Sequence, residues 1–123
     1  MAGRAAIVTG ASSGIGLAIA EMLGAEGYCL TVAARRPEKL EAAAAGLSEN
    51  GFEVNVVAAQ LAEEEGVQRV VASHRERFGR VDVLVNNAGV GIGAPVGEIA
   101  TKRLDLQLDL NVRTIVLFYR ECA

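Results

Sequence analysis

Residues 9–16 read Thr9-Gly10-Ala11-Ser12-Ser13-Gly14-Ile15-Gly16, and they directly follow an apolar run, Ala5-Ala6-Ile7-Val8. A predicted strand therefore leads into a glycine turn that opens a helix. A glycine turn brings backbone N–H groups close to a phosphate because no Cβ stands in the way. The helix that follows points the positive end of its dipole at the same place. Although such a spacing by itself is a weak signal, the junction predicts a cradle for a pyrophosphate group.

The composition favours one α/β domain. The chain has 123 residues, 51% of them apolar and only 4% aromatic, so its core must be built from aliphatic side chains. Such a core suits a buried parallel sheet flanked by helices. With a net charge of −3, the chain lacks the excess of basic residues that is typical of nucleic-acid-binding proteins. No apolar stretch approaches the roughly 20 residues that span a bilayer, and the chain starts without a secretory signal. We therefore expect a cytoplasmic protein with neither a nucleic-acid nor a membrane partner.

Strand and helix patterns alternate along the chain. The predicted strands are Ala5 to Thr9, Tyr28 to Ala34, Glu53 to Ala59 and Val81 to Val85. The first three helices are predicted near Gly14 to Gly27, Pro37 to about Leu47, and Glu63 to Gly79. A last helix is predicted from about Glu98 or Thr101, with an apolar pattern that continues to the end of the chain.

Helical periodicity also predicts which side chains are buried. In the first helix the apolar positions that follow a 3.6-residue period are Ile15, Ala18, Ile19, Met22 and Leu23. The third helix is predicted to bury Val67, Val70, Val71 and Phe78. The last helix shows the pattern Leu104, Leu108, Asn111, Val112, Ile115, Leu117 and Phe118.

This alternation predicts a Rossmann-like, doubly wound parallel sheet with helices on both faces. The expected strand order for the part present is 3-2-1-4. In such a sheet a ligand lies outside the carboxyl ends of the strands, at the switch point between strands 1 and 4. The glycine-bearing segments after Thr9 and after Val85 both fall at that point.

Metal and histidine chemistry are not indicated. Cys29 and Cys122 fit no metal-ligand spacing, so we expect reduced thiols and no metal site. His74 is the single histidine. Its place on the helix before strand 4 is distant from the switch point, and we expect it at the surface or at the boundary of the core.

Three segments together carry a family resemblance. They are Thr9-Gly10-x-x-x-Gly14-x-Gly16, Asn86-Asn87-Ala88-Gly89 after strand 4, and Asn111 in the last helix. In this order and at these separations they closely resemble the short-chain dehydrogenase/reductase family, from Arg4 to the end of the chain. The resemblance implies hydride transfer between a nicotinamide cofactor and a small carbonyl or alcohol substrate. It also implies a homo-oligomer, a dimer or a tetramer.

The resemblance assigns roles to the residues that match. The turn under the pyrophosphate is formed by Gly10, Gly14 and Gly16, with contacts from Ser12, Ser13 and Ile15. The ribose and adenosine region is flanked by Asn87, Ala88 and Gly89. Gln60 stands where the family often has an aspartate that contacts the adenine amino group, and Leu61 beside it contacts the ring. Asn111 matches the family's asparagine that holds a water in the proton relay, which makes it the candidate catalytic residue.

The end of strand 2 predicts which nicotinamide cofactor is used. An NAD enzyme usually places an acidic residue there for the ribose hydroxyls. Here Ala34 is followed by Arg35 and Arg36, and a guanidinium can bind a phosphate bidentately. NADP(H) is therefore favoured over NAD(H). The alternative is that both arginines belong only to a solvated turn.

The family's catalytic serine and its Tyr-x-x-x-Lys pair are not found in the chain. Tyr119 is followed at the lysine's spacing by Ala123, while Lys39 and Lys102 are expected on the surface. We interpret residues 1–123 as the NADP(H)-binding, N-terminal part of a larger fold, inactive alone and prone to self-association through an uncovered strand and helix. The alternative is a non-catalytic dinucleotide-binding or interaction module.

Overall fold

The computed structural model describes residues 3–87, 101–108 and 112–123. The strands are β1 (Ala5–Thr9), β2 (Cys29–Ala34), β3 (Val54–Ala58) and β4 (Val83–Val85). The helices are α1 (Gly14–Ala25), α2 (Pro37–Glu49), α3 (Glu64–Phe78), α4 (Thr101–Leu108) and α5 (Thr114–Cys122). The predicted element order is confirmed as far as β4, with shifts of a few residues at the boundaries, and the span of the single last helix that the sequence predicts contains two helices, α4 and α5. Within the last predicted helix, residues 109–111 lie outside the described residues.

The strands form a parallel sheet in the order β3-β2-β1-β4, which confirms the predicted topology. Ala6 lies opposite Val83, and Val8 lies opposite Val85. Every residue of β1 is buried because the strand lies between two neighbours and is covered on both faces.

Alternate residues of the strands supply two separate cores. Ala6 and Val8 of β1 pack on the side of α1 and α2, with the α2 residues Leu40, Ala44 and Leu47. Ile7 faces the other side, where α3 and α5 contribute Val67, Val70, Val71, Leu117 and Phe118. The predicted burial of the α3 valines and of Phe78 is confirmed. The period of two along a strand explains this division.

The buried face of α1 differs from its apolar pattern. The buried face of the helix consists of Gly16, Ala20 and Gly24, which are spaced one turn apart. Ile15 and Met22 are instead 72% and 70% exposed. Small residues allow close approach of the helix to its neighbours, and a Cβ at Gly24 would overlap the ring of Phe52. Hydrophobicity alone could not reveal a face selected for small volume.

The expectation that His74 lies at the surface or the core boundary is wrong, because its side chain is 0% exposed. His74 stands seven residues after Val67, on the same buried stripe of α3. Its Nε2 donates to the Arg80 carbonyl at 2.7 Å, since a carbonyl can only accept. Its Nδ1 then accepts from the Thr31 hydroxyl at 2.6 Å. Hydrogen bonding to both ring nitrogens is what makes burial of this imidazole tolerable.

This buried polar contact extends to the edge of the sheet. Asn55 Nδ2 donates to Thr31 Oγ1 at 3.3 Å and to Ser73 Oγ at 3.0 Å. The network therefore joins β2, β3 and α3 to the turn that precedes β4.

Polar contacts, as well as buried side chains, hold helix α5 against α3 and the loop that precedes it. Thr114 Oγ1 donates to the Leu61 carbonyl at 2.5 Å. Arg120 pairs with Glu64 of α3 at 2.8 Å. Helix α5 therefore contacts both α3 and the loop that joins β3 to α3.

Candidate dinucleotide-binding site

The glycine turn after β1 has the conformation that its sequence predicts. Gly10 and Gly14 have φ angles of +64° and +60°, in the left-handed region that side chains with a Cβ rarely adopt. The Gly10 N–H donates to the Ala33 carbonyl at 2.8 Å, which ties the turn to the end of β2. A Cβ built at Gly14 would meet no atom within 4 Å. The backbone at the start of α1 therefore faces open space.

Gly16 plays a different part, because it allows close packing. A Cβ at this position would overlap the Gly10 carbonyl oxygen and would lie 2.7 Å from Nδ2 of Asn87. The first turn of α1 can therefore approach the two loops only if residue 16 is glycine.

The segments after β1 and β4 meet, as the sequence predicts. The Asn87 backbone N–H donates to Thr9 Oγ1 at 3.0 Å, and Asn87 Nδ2 donates to the Gly10 carbonyl at 3.3 Å. Thr9 Oγ1 in turn donates to the Val85 carbonyl at 3.3 Å. This role of the Thr9 hydroxyl was not predicted from the sequence. The signal was present: a hydroxyl-bearing residue ends an otherwise apolar, fully buried strand.

The chain matches the short chain dehydrogenase family model over residues 4–123. It belongs to the short-chain dehydrogenase family. It is 39% identical to the farnesol dehydrogenase of Aedes aegypti over 122 residues, which cover 94% of this chain and 48% of that protein.

Solved short-chain dehydrogenase structures share the fold. L-sorbose reductase from Gluconobacter frateurii, complexed with NADPH and L-sorbose, superposes with a TM-score of 0.93 at 42% identity, over 98% of this chain and 46% of that one. A metagenomic short-chain oxidoreductase in complex with NADP gives a TM-score of 0.92 at 36% identity, over 98% of this chain and 55% of that one. The chain thus spans about half the length of the relatives that it matches.

Three further assigned residues follow strands that end at the same edge of the sheet. Arg35 and Arg36 are exposed directly after the buried Ala34 that ends β2. Gln60 is exposed after β3 and borders a cavity of about 210 Å³, lined by Ala59, Gln60, Glu63, Glu65, Gly66 and Arg69. These side chains are therefore accessible to a ligand.

Unlike its neighbour Gln60, Leu61 is buried in the core of the protein. Its side chain is only 3% exposed and packs in the core beneath α3 and α5. Its carbonyl accepts the Thr114 hydroxyl. Its contact with an adenine ring stays a prediction.

The structure describes only some of the other residues that the family resemblance assigns to the site. Ser12 is half-buried, while Ser13 is exposed with extended backbone at the start of α1. Ala88, Gly89 and Asn111 lie outside the described residues.

In the described ranges, no group of three or more His, Cys, Asp or Glu side chains could hold a metal ion. Of the helices described here, none has the length and apolar character needed to cross a membrane.

Proposed function

We propose that this chain binds NADP(H) and forms the dinucleotide-binding part of an oxidoreductase that acts on a carbonyl or alcohol substrate. The glycine turn carries the proposal. In this turn the backbones of Gly10 and Gly14 are in the left-handed region, and the space next to Gly14 is open. A hydrogen bond from the Asn87 side chain to the Gly10 carbonyl holds the turn in place. A pyrophosphate fits such a turn because backbone N–H groups can approach it without obstruction by a Cβ.

The start of α1 supports the same assignment. Ser13 precedes the helix with extended backbone, and its side chain makes no capping hydrogen bond. The Ser13 side chain therefore does not occupy the first-turn N–H groups. Together with the helix dipole they favour a negatively charged ligand group.

The preference for NADP(H) rests on Arg35 and Arg36. Both are exposed where strand β2 ends, and Ala34 leaves no carboxylate there to repel a phosphate. A guanidinium recognises a phosphate through two parallel hydrogen bonds. The complexes of the sorbose reductase with NADPH and of the metagenomic oxidoreductase with NADP agree with this preference.

The nicotinamide, when bound, supplies or accepts the hydride. The residues of this chain bind and orient it: the glycine turn holds the diphosphate, and Asn87 holds the turn against β4. Asn111 is proposed to position a relay water, as the family pattern implies. No proton donor is assigned, because neither Tyr28 nor Tyr119 has a lysine four residues later. We therefore expect no efficient hydride transfer from these residues alone.

We expect Arg35→Ala to weaken NADPH binding by about 10- to 100-fold, the effect of losing a hydrogen bond between charged groups. NADH binding should change by less than about twofold, since NADH lacks the phosphate that the arginine contacts. Titration of cofactor fluorescence measures both affinities.

Lys102→Ala is the matched control, because it removes the same charge from an exposed position on α4. Equal loss of NADPH and NADH affinity in Arg35→Ala would contradict the assignment to the 2′-phosphate. Absence of binding for both cofactors in the parent protein would contradict the proposed function.

A homo-oligomer, a dimer or a tetramer, in the cytoplasm is also proposed. Large apolar side chains are exposed on and beside α5, where Val112, Val116 and Tyr119 are 55%, 60% and 62% exposed. A second copy of the chain could cover them.

We expect Val116→Lys to dissociate the oligomer, as measured by light scattering. Met22→Lys on α1 is the control at another exposed apolar position, and an unchanged mass in Val116→Lys would refute the interface.

A further inference from the structure

Asp82 bonds to both backbone polar groups of one residue in β1. Its carboxylate Oδ2 accepts the Ala5 N–H at 2.8 Å, and its own N–H donates to the Ala5 carbonyl at 2.8 Å. Asp82 stands directly before β4, whereas Ala5 begins β1. The pair therefore closes the end of the β1–β4 ladder that lies away from the glycine turn.

The turn before β4 holds the Asp82 carboxylate in place. Arg80 Nε donates to Oδ2 at 2.8 Å, and Arg80 Nη2 donates to Oδ1 at 2.6 Å. This bidentate contact fixes the plane of the carboxylate as well as its distance from the guanidinium. It also lowers the pKa of Asp82, with a smaller contribution from the Ala5 N–H, so the carboxylate stays charged at neutral pH. The Arg80 carbonyl is held by His74, which connects this end of β4 to the core.

Strand β4 needs such an anchor because it is only 3 residues long. Among the described strands it pairs with β1 alone. At its other end, the Asn87 N–H bonds to Thr9 and the Asn87 side chain bonds to Gly10. A slip of one residue in a strand turns every side chain to the opposite face. Such a slip would remove Asn87 from the glycine turn.

We infer that Asp82 is a positioning residue for the dinucleotide site. It sets the register of β4 on β1 from the far end of the strand, so that Asn87 reaches the Gly10 carbonyl. Its effect on the cofactor rests on the proposed function, but its effect on the register does not.

The first test measures the register without any ligand. In Asp82→Ala, the Asn87 amide that bonds to Thr9 should exchange its hydrogen about tenfold faster or more, as 1.4 kcal/mol of lost opening free energy requires. Asp82→Asn keeps an acceptor for the Ala5 N–H and should show a smaller increase. Asp105→Ala removes an exposed carboxylate from α4 and is the control. Parental exchange of the Asn87 amide in Asp82→Ala would overturn the inference.

The second test is a double-mutant cycle on NADPH affinity. Asp82→Ala should weaken binding about tenfold, but it should add little in an Asn87→Ala background because both changes break the same contact. Combined with Arg35→Ala it should have its full effect, since that arginine binds independently. Additive losses with Asn87→Ala would refute an action through Asn87 and leave only general destabilisation.

If the parent protein binds no NADPH, the proposed function fails while the exchange of the Asn87 amide still decides the role of Asp82. If Asp82→Ala does not fold, Asp82→Asn and Arg80→Ala replace it. Arg80→Ala leaves the bonds to Ala5 possible but removes the two contacts that orient the carboxylate. Both replacement variants should accelerate exchange at Asn87, and parental exchange in both would overturn the inference.

Discussion

Replacement of Gly16 by alanine is expected to abolish NADPH binding and to lower the free energy of unfolding by about 1–3 kcal/mol, the usual cost of overpacking. The new Cβ would overlap the Gly10 carbonyl and crowd Nδ2 of Asn87. Because the Gly10 carbonyl belongs to the backbone, it cannot move aside without distorting the turn. Denaturant unfolding measures the stability, and fluorescence titration measures the binding.

Two other glycines provide comparisons for the change in stability. Gly46→Ala lies on the exposed face of α2, where a Cβ meets nothing within 4 Å, so it should stabilise the protein by about 0.5–1 kcal/mol. Gly14→Ala also meets no atom but has a φ of +60°, and it should cost about 1–2 kcal/mol. Binding of NADPH by Gly16→Ala with parental affinity would show that the turn is not the cofactor site.

The second large effect is expected from His74, through the dependence of stability on pH. Burial lowers the pKa of His74 below the 6.5 of a free imidazole, and the charge of Arg75 acts in the same direction. The Arg80 carbonyl and the charge of Asp82 oppose the shift but do not reverse it. The unfolded chain therefore takes up a proton at a higher pH than the folded protein does. Stability should fall as the pH drops below about 6.5 and should stop falling, for this group, below the folded pKa.

His74→Leu separates this contribution from that of the carboxylates. His74 is the single histidine of the chain, so the variant should lose the slope that begins near pH 6.5. At neutral pH it should be less stable by about 1–3 kcal/mol, because the buried Thr31 hydroxyl loses the acceptor for its hydrogen and the Arg80 carbonyl loses its donor. Chemical denaturation of both proteins at several pH values measures the difference. Identical slopes, or a folded-state His74 that titrates at or above 6.5 by NMR, would contradict the assignment.

The fold could be predicted in unusual detail because its signals are local. Glycine turns and apolar runs define the elements, and parallel strands joined by helices admit few arrangements. The order β3-β2-β1-β4 and the meeting of the Thr9 and Val85 segments followed from this restriction. Sequence periodicity also placed Val67, Val70 and Val71 correctly.

The errors came from residues whose chemistry conflicts with their position. His74 lies on the same stripe as those valines, and its burial depends on the partners Thr31 and Arg80, which the sequence does not reveal. On α1 the hydrophobic Ile15 and Met22 are exposed because they lie opposite the buried face, which is formed by the small residues Gly16, Ala20 and Gly24. Composition gives no measure of how close two elements approach.

By itself the sequence determined the architecture of this short-chain dehydrogenase chain, its glycine turn and the position of that turn at the switch point of the sheet. The tertiary structure alone decided which polar groups meet: the Thr9 hydroxyl with Asn87, and the Asp82 carboxylate with Ala5. The reason is physical. Backbone propensities and apolar periods act over neighbouring residues, whereas a hydrogen bond between groups 77 residues apart depends on the register of strands that only the packed sheet sets.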